Sequence, residues 1–165
     1  DPLCVSFHRP MTIHIRSAQT GDATTICTVI RRSITECCMD DHHGDAGLME
    51  AWLRNKTVAS VETWLQDTEA HCIVGDRDGA TQGFGMSRGD QVLLCYVTPE
   101  ARFTGLGKAL LQALERHAMA QGLSTLRLES TRTAEAFYRR NGFLPTGPAV
   151  RAFGLQGLPM SKAMR

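Results

Sequence analysis

Two closely spaced glycines, Gly105 and Gly107, lie where a strand-like segment gives way to a helix-like one. The apolar run 92–97 predicts a buried strand, which Pro99 ends because proline has no N–H to continue a ladder. Helical periodicity starts at Leu106. Backbone N–H groups at the start of a helix are free and face the positive end of its dipole, and glycine lets an anion approach them closely. This junction is therefore predicted to bind a phosphate or pyrophosphate.

Two better-known glycine motifs do not fit this loop. The P-loop pattern G-x-x-x-x-G-K-[ST] fails because Arg102 and Ala109 stand where it needs a glycine and a Ser or Thr. A Rossmann turn fails because Leu110 occupies the place of its last glycine. The pattern that fits is R-x-x-G-x-G, and an ordinary glycine-rich turn is the alternative interpretation.

A second group of chemically versatile residues forms the polar stretch 39–45, Met-Asp-Asp-His-His-Gly-Asp. Aspartate and histidine can together hold a metal ion. Adjacent histidines, however, give no recognisable ligand spacing and no cysteine joins them, so no metal site is predicted. A solvated loop is the simplest interpretation.

The pattern of helices and strands that must position these residues predicts an α/β (α+β) domain. Strands are predicted near 12–16, 70–76, 82–88, 92–97, 124–129, 143–146 and 158–164. Helices are predicted near 22–38, 46–55, 58–67, 106–121 and 131–140. No repeat or linker divides the chain, so we expect one layered domain with a central mixed sheet of about six to seven strands and about four to five helices.

Composition narrows the classes of function. The 165 residues, with 42% hydrophobic and 21% charged content, are typical of a soluble globular domain. The net charge of +1 argues against a nucleic-acid partner, and no apolar run is long enough for a membrane span. Six cysteines without a C-x-x-C motif predict a reducing, cytoplasmic setting. Residues 1–10 are expected to be an upstream or non-native extension, and the domain to cover 11–165.

The R-x-x-G-x-G loop after such a strand resembles the acetyl-coenzyme A (acetyl-CoA) loop of the GCN5-related N-acetyltransferase (GNAT) family. The segment 131–143 is also similar to the family pattern N-x-x-A-x-x-hydrophobic-Tyr-x-x-x-Gly-Phe. It matches at Ala134, Tyr138, Gly142 and Phe143 and departs at Thr131, where asparagine is commoner. Threonine can still cap a helix and offer a hydroxyl. The resemblance runs from Met11 to the C-terminus and implies the GNAT acyl-CoA N-acyltransferase fold.

The resemblance also implies a set of contacts with acetyl-CoA. The backbone N–H of Cys95 would bind the thioester carbonyl, and the amides of the loop would cradle the pyrophosphate. The implied cofactor-binding residues are Tyr96, Val97, Arg102, Phe103, Thr104, Gly105, Leu106, Gly107, Lys108, Thr131, Ala134 and Tyr138. Basic side chains suited to the phosphates are Arg102, Lys108, Arg132, Arg139 and Arg140. For Arg139 and Arg140, a solvated helix face is an equally simple interpretation.

Acyl transfer needs a neutral amine, an oxyanion site and a proton for the departing thiolate. By resemblance Tyr138 would be the general acid, with a buried structural tyrosine as the alternative. Cys95 is predicted to act through its backbone and not as a covalent nucleophile, because a free cysteine in an apolar strand usually behaves as a small hydrophobe.

The general base is left open by the sequence. Some family members carry a carboxylate at the start of the central strand, where this chain has Gln91. The candidates for a base or for the acceptor site are Glu36, Asp40, Asp41, His42, His43 and Glu129. In the family the segment between the first two helices often lines the acceptor pocket. The carboxylates of 39–45 would then attract a cationic amine.

The resemblance thus implies a bacterial N-acetyltransferase that transfers acetyl from acetyl-CoA directly to the amine of a small, unidentified acceptor. One alternative is a GNAT-fold module that binds acyl-CoA without transferring the acyl group. The other is a transferase that uses a different acyl-CoA. No nucleic-acid or membrane partner is predicted, and a homodimer is left open.

Overall fold

A computed structural model describes residues 10–152 and 154–165 of the protein. Its central sheet has eight strands. The strands are β1 Ile13–Ser17, β2 Ala70–Arg77, β3 Ala80–Arg88, β4 Gln91–Val97, β5 Thr125–Ser130, β6 Leu144–Pro145, β7 Val150–Ala152 and β8 Leu155–Ala163. Their order is β1-β2-β3-β4-β5-β8-β6, and β7 pairs with β8. All pairs are antiparallel except β4 with β5. The α/β class is confirmed, and the additional strand is the short β7.

Helices cover both faces of this sheet. They are α1 Ala23–Cys37, α2 Met39–His42, α3 Ala46–Leu53, α4 Val58–Gln66, α5 Leu106–Ala120 and α6 Glu135–Arg140. On one face the apolar stripe of α1 packs with Val61 of α4 against Val74 and Phe84 of the sheet. On the other face the apolar stripe of α5 packs with Tyr138 and Phe143. Helices α1 and α5 therefore bury the faces that their periodicity predicted.

The parallel strands β4 and β5 pair only where Gln91 lies opposite Arg127. Beside that point the Arg127 N–H donates to the Asp90 carbonyl oxygen at 2.7 Å. From Val92 onward the described pairings of β4 are all with β3. Beyond this point the two parallel strands have no further described pair, so the sheet is open between their C-terminal parts.

Two segments differ from the sequence-based predictions. The stretch 39–45 was expected to be a polar loop, but it contains the helical turn α2 and buries Asp41 and His42. The helix expected from residue 131 begins at Glu135, because 131–134 forms a turn in which the Thr131 hydroxyl accepts the Ala134 N–H at 3.2 Å. Residues 1–9 of the expected extension lie outside the described residues, so that expectation stays a prediction.

The predicted hairpin turn is present. Asp78 and Gly79 both have positive φ, 52° and 83°, as a tight two-residue turn between β2 and β3 requires. In residues 10–152 and 154–165 no helix has the length and apolar character to cross a membrane. The described cysteines, which include the adjacent pair Cys37 and Cys38, are free thiols.

Candidate active site

The glycine-bearing loop connects β4 to α5 through a 3₁₀ turn, Pro99–Ala101. Phe103 and Gly105 adopt the left-handed conformation, with φ of 62° and 91°. The Thr104 hydroxyl donates to the Ala101 carbonyl oxygen at 2.5 Å and holds the loop. A positive φ raises the conformational energy of phenylalanine. Because the Phe103 side chain is 89% exposed, its packing does not compensate for this strained backbone conformation.

This loop carries several unused hydrogen-bond donors. Among the described residues, no acceptor is found for five of its backbone N–H groups, those of Phe103, Thr104, Gly105, Gly107 and Lys108. The Arg102 guanidinium lies 5.1 Å from the centre of the Phe103 ring, and the Lys108 side chain is exposed. The loop can therefore offer both amide donors and positive charge to an anion.

Gly107 also serves packing. A Cβ at this position would lie 3.3 Å from Phe137 Cζ and 4.0 Å from Val97 Cγ1. The start of α5 therefore approaches both α6 and the end of β4 closely, which brings the loop, the open strand and the Tyr138 helix together.

Tyr138 is buried in the apolar cluster that Cys95 and Val97 of β4 also contact. Its ring packs edge-on against Phe143 with a centroid distance of 5.8 Å. Burial raises the pKa of the Tyr138 phenol well above its ordinary value, and Cys95 and Tyr96 add smaller increases. The phenol is therefore a proton donor and not a phenolate at neutral pH.

Side chains of β4 alternate between the two faces of the sheet. Cys95 points into the cluster with Tyr138, where burial raises the pKa of its thiol to about 12. A thiol with that pKa is a poor nucleophile at neutral pH. Tyr96 packs on the opposite face with α1 and Trp52, and burial raises the pKa of its phenol.

In α2, the predicted site residues have different environments. The Asp41 carboxylate is buried and accepts hydrogen bonds from Arg132 N, Thr133 N and Thr133 Oγ1. His42 is fully buried; its Nδ1 accepts the Gly44 N–H at 3.0 Å, so its Nε2 carries the proton and donates to the Ile34 carbonyl oxygen at 2.9 Å. Asp40 and His43 are exposed.

The two predicted glutamates lie in different places. Glu36 is exposed on α1, where its Oε2 lies 3.1 Å from the Nε of Arg32. Glu129 is exposed on β5, past the point where β4 and β5 separate. A Cβ at Gly157 would lie 3.3 Å from Glu129 Oε2, so this glycine leaves room for the carboxylate. Of the candidate bases, Glu129 is therefore the one carried by a strand of the opening.

A cavity of about 270 Å³ adjoins the end of β5 and the start of α6. It is lined by Ser130, Thr131, Arg132, Glu135, Arg139, Gln156 and Leu158. The Arg139 guanidinium pairs with Glu135 at 2.9 Å, and Arg140 is exposed. Sequence reasoning did not single out Ser130, Gln156 or Leu158 as site residues. Gln156 and Leu158 belong to β8, which reaches this place only through the sheet order, whereas Ser130 directly precedes the predicted Thr131. In residues 10–152 and 154–165 no cluster of three or more metal-ligating side chains is found.

A family model for the acetyltransferase (GNAT) domain matches residues 39–164. The amino-acid acetyltransferase of Ectopseudomonas mendocina (strain ymp) is 45% identical over 146 residues, which are 81% of this chain and 33% of that protein. The peptidyl-lysine N-acetyltransferase YjaB of Salmonella typhimurium is 27% identical over 83% of this chain and 87% of that protein. The amino-acid acetyltransferase of Pseudomonas putida is 41% identical over 40% of this chain, and the match spans only 16% of that protein.

Solved structures share the fold. A GCN5-related N-acetyltransferase from Rhodopseudomonas palustris superposes with a TM-score of 0.83 at 24% identity, covering 95% of this chain and 99% of that one. The PaiA N-acetyltransferase of Thermoplasma acidophilum, in complex with coenzyme A, gives 0.76 at 21% identity and covers 92% and 99%.

Proposed function

This chain belongs to the GNAT acetyltransferase family, and from that premise we propose that it transfers acetyl from acetyl-CoA directly to the amine of a small acceptor. One observation carries the proposal. The α5 loop with its free amides, the open side of β4 and the helix that carries Tyr138 approach one another at Gly107, where a Cβ would lie 3.3 Å from Phe137 Cζ and 4.0 Å from Val97 Cγ1.

The loop and the open strand suit two different parts of the cofactor. The amides of Phe103–Lys108 and the guanidinium of Arg102 would bind the pyrophosphate, because they combine helix N-terminal donors with positive charge. The backbone of 94–97 pairs with β3 on one side only, so its other side is available to the amides of the pantetheine arm. In this arrangement the Cys95 N–H would bind the thioester carbonyl.

The proposed chemistry needs one base and one acid. The neutral amine attacks the thioester carbon, the C–N bond forms, and the C–S bond breaks. Tyr138 gives its proton to the departing sulfur and regains one from solvent, while a base takes the proton of the amine. The raised pKa of Tyr138 suits the acid, because the phenol keeps its proton until the thiolate develops.

Glu129 is the proposed base, acting directly or through one water molecule. It is exposed at the open strand, whereas the Asp41 carboxylate and both ring nitrogens of His42 are already used by the protein. Asp40 and His43 are both exposed at the α2 turn. The Asp40 carboxylate would attract a cationic acceptor, and the His43 imidazole would relay its proton.

The names of two relatives support an acceptor with a primary amine. They are an amino-acid acetyltransferase and a peptidyl-lysine N-acetyltransferase. We therefore propose a free amino acid or a lysine-like amine as the acceptor.

The free thiols of the described cysteines support the prediction of a cytoplasmic enzyme.

Calorimetric titration with acetyl-CoA and with coenzyme A tests the first step. Micromolar binding of both is expected, followed by thiol release in the presence of amino acids, polyamines or lysine peptides. Propionyl-CoA and butyryl-CoA in the same assay test the alternative acyl donor. Binding without thiol release from any amine would favour the non-catalytic module, and no binding by a folded protein would overturn the proposal.

A further inference from the structure

Asp41 lies in α2, but its carboxylate binds a turn that is distant in sequence. Its Oδ1 accepts the Arg132 N–H at 2.7 Å, and its Oδ2 accepts the Thr133 N–H at 3.2 Å and the Thr133 hydroxyl at 2.5 Å. These partners are 91 and 92 residues away along the chain. The contact therefore joins two segments that only the tertiary fold brings together.

The turn that Asp41 binds leads directly into the Tyr138 helix. The N-cap residue of α6 is Ala134, which has no side-chain acceptor, and the Thr131 hydroxyl serves only the Ala134 N–H. The amides of Arg132 and Thr133 take their acceptor from Asp41 instead. A carboxylate from α2 therefore holds the turn that precedes the Tyr138 helix.

The carboxylate is also buried without a described ion pair. It is only 6% exposed, and among the described residues no basic side chain forms an ion pair with it. Burial raises the pKa of the neighbouring Cys38 thiol to about 12, and the Asp41 charge adds to that increase. The three donors of the turn are therefore the groups that keep this buried anion satisfied.

We infer that Asp41 is a positioning residue that couples α2, on the proposed acceptor side, to the turn that carries proposed cofactor contacts and leads into the Tyr138 helix. Coenzyme A bound at Thr131 fixes the turn, the turn fixes Asp41, and α2 is ordered as a result. This inference rests on the proposed function, because it assigns coenzyme A to the turn 131–134.

Hydrogen exchange with and without coenzyme A measures this coupling and does not require the acceptor. In the wild type, coenzyme A should slow hydrogen exchange of the His42 and His43 amides. These amides donate to the carbonyl oxygens of Cys38 and Met39 and so report on the α2 turn. Asp41→Asn keeps the size of the side chain but loses the charge that faces three donors. Its α2 amides should gain no protection from coenzyme A, and its affinity for coenzyme A should fall roughly tenfold.

Asp67→Asn is the matched control. Asp67 is another aspartate that accepts a backbone N–H, that of Glu69 at 3.0 Å, but it lies at the junction of α4 and β2. This variant should keep both the affinity for coenzyme A and the protection of α2, whatever its melting temperature. Thr133→Ser, which keeps the hydroxyl donor, should behave like the wild type, and Thr133→Val should lose part of the protection.

The possible failures are distinguishable. No binding of coenzyme A by the wild type would overturn the proposed function and this inference with it. Binding with equal affinity and equal α2 protection in the wild type and Asp41→Asn would overturn this inference alone. A lower melting temperature for Asp41→Asn with unchanged protection would reduce Asp41 to a purely structural residue and would also overturn it.

Discussion

Gln91 and Arg127 face each other at the single register position where β4 and β5 pair. The Arg127 guanidinium closes the same end through its ion pair with Asp90, with Nε and Oδ2 2.9 Å apart. Because the pairing stops there, the rest of β4 keeps one edge free for a ligand. The position of this contact, at the first residue of β4, makes the opening long enough to include Cys95 and Val97.

Replacing Tyr138 by phenylalanine should lower kcat by about a hundredfold while coenzyme A still binds, because the ring stays packed and only the proton donor is lost. Because the pKa of Tyr138 is raised, the phenol should keep its proton at every pH up to about 10. Over that range, deprotonation of Tyr138 should not lower the wild-type rate. Steady-state rates across pH and calorimetric titration of both proteins check this. Unchanged turnover when chemistry limits the rate would remove the acid role.

Cys95→Ala should retain most of its turnover, because the proposed role of this residue is its backbone N–H. The raised pKa of the thiol leaves little thiolate at neutral pH. Mass spectrometry of enzyme quenched during turnover should find no acetyl group on Cys95. A trapped acetyl adduct together with an inactive alanine variant would instead indicate covalent catalysis.

Gly105→Ala should weaken binding of coenzyme A at least tenfold, because the residue has φ of 91° and its amide belongs to the proposed pyrophosphate site. Gly79→Ala is a close control, since Gly79 has φ of 83° in the β2–β3 hairpin with nothing near its missing Cβ. Both changes should cost roughly 1–2 kcal/mol of unfolding free energy. Equal affinities for coenzyme A in the two variants would argue against the loop assignment.

Glu129→Gln should lower kcat/KM at neutral pH by a factor on the order of a hundred, because the amide cannot take the proton of the amine. Glu62→Gln, at an exposed position on α4, provides the control for loss of one negative charge. Steady-state rates with acetyl-CoA and an amine check this, and a kcat/KM of Glu129→Gln equal to that of Glu62→Gln would assign the base to a different group or to solvent.

Local patterns in the sequence were enough to predict the layers and the loop. The stripe Leu106, Leu110 and Leu114 predicted α5, and all three side chains are fully buried. The Asp78–Gly79 turn predicted the hairpin between β2 and β3. These features follow from backbone chemistry and hydrophobic periodicity, which act over a few neighbouring residues. The roles assigned to Tyr138 and to the loop stay predictions that the experiments above address.

The environments of the polar candidates were decided by the tertiary structure. Asp40 and Asp41 are adjacent in the sequence, but one is exposed and the other is buried against the turn 131–133. His42 and His43 differ in the same way. The sequence by itself determined the α/β layers, the glycine loop and the helix that carries Tyr138. Only the tertiary structure decided which carboxylate is buried with its donors and which is exposed, because the partners of a polar side chain come from distant segments that no local pattern specifies.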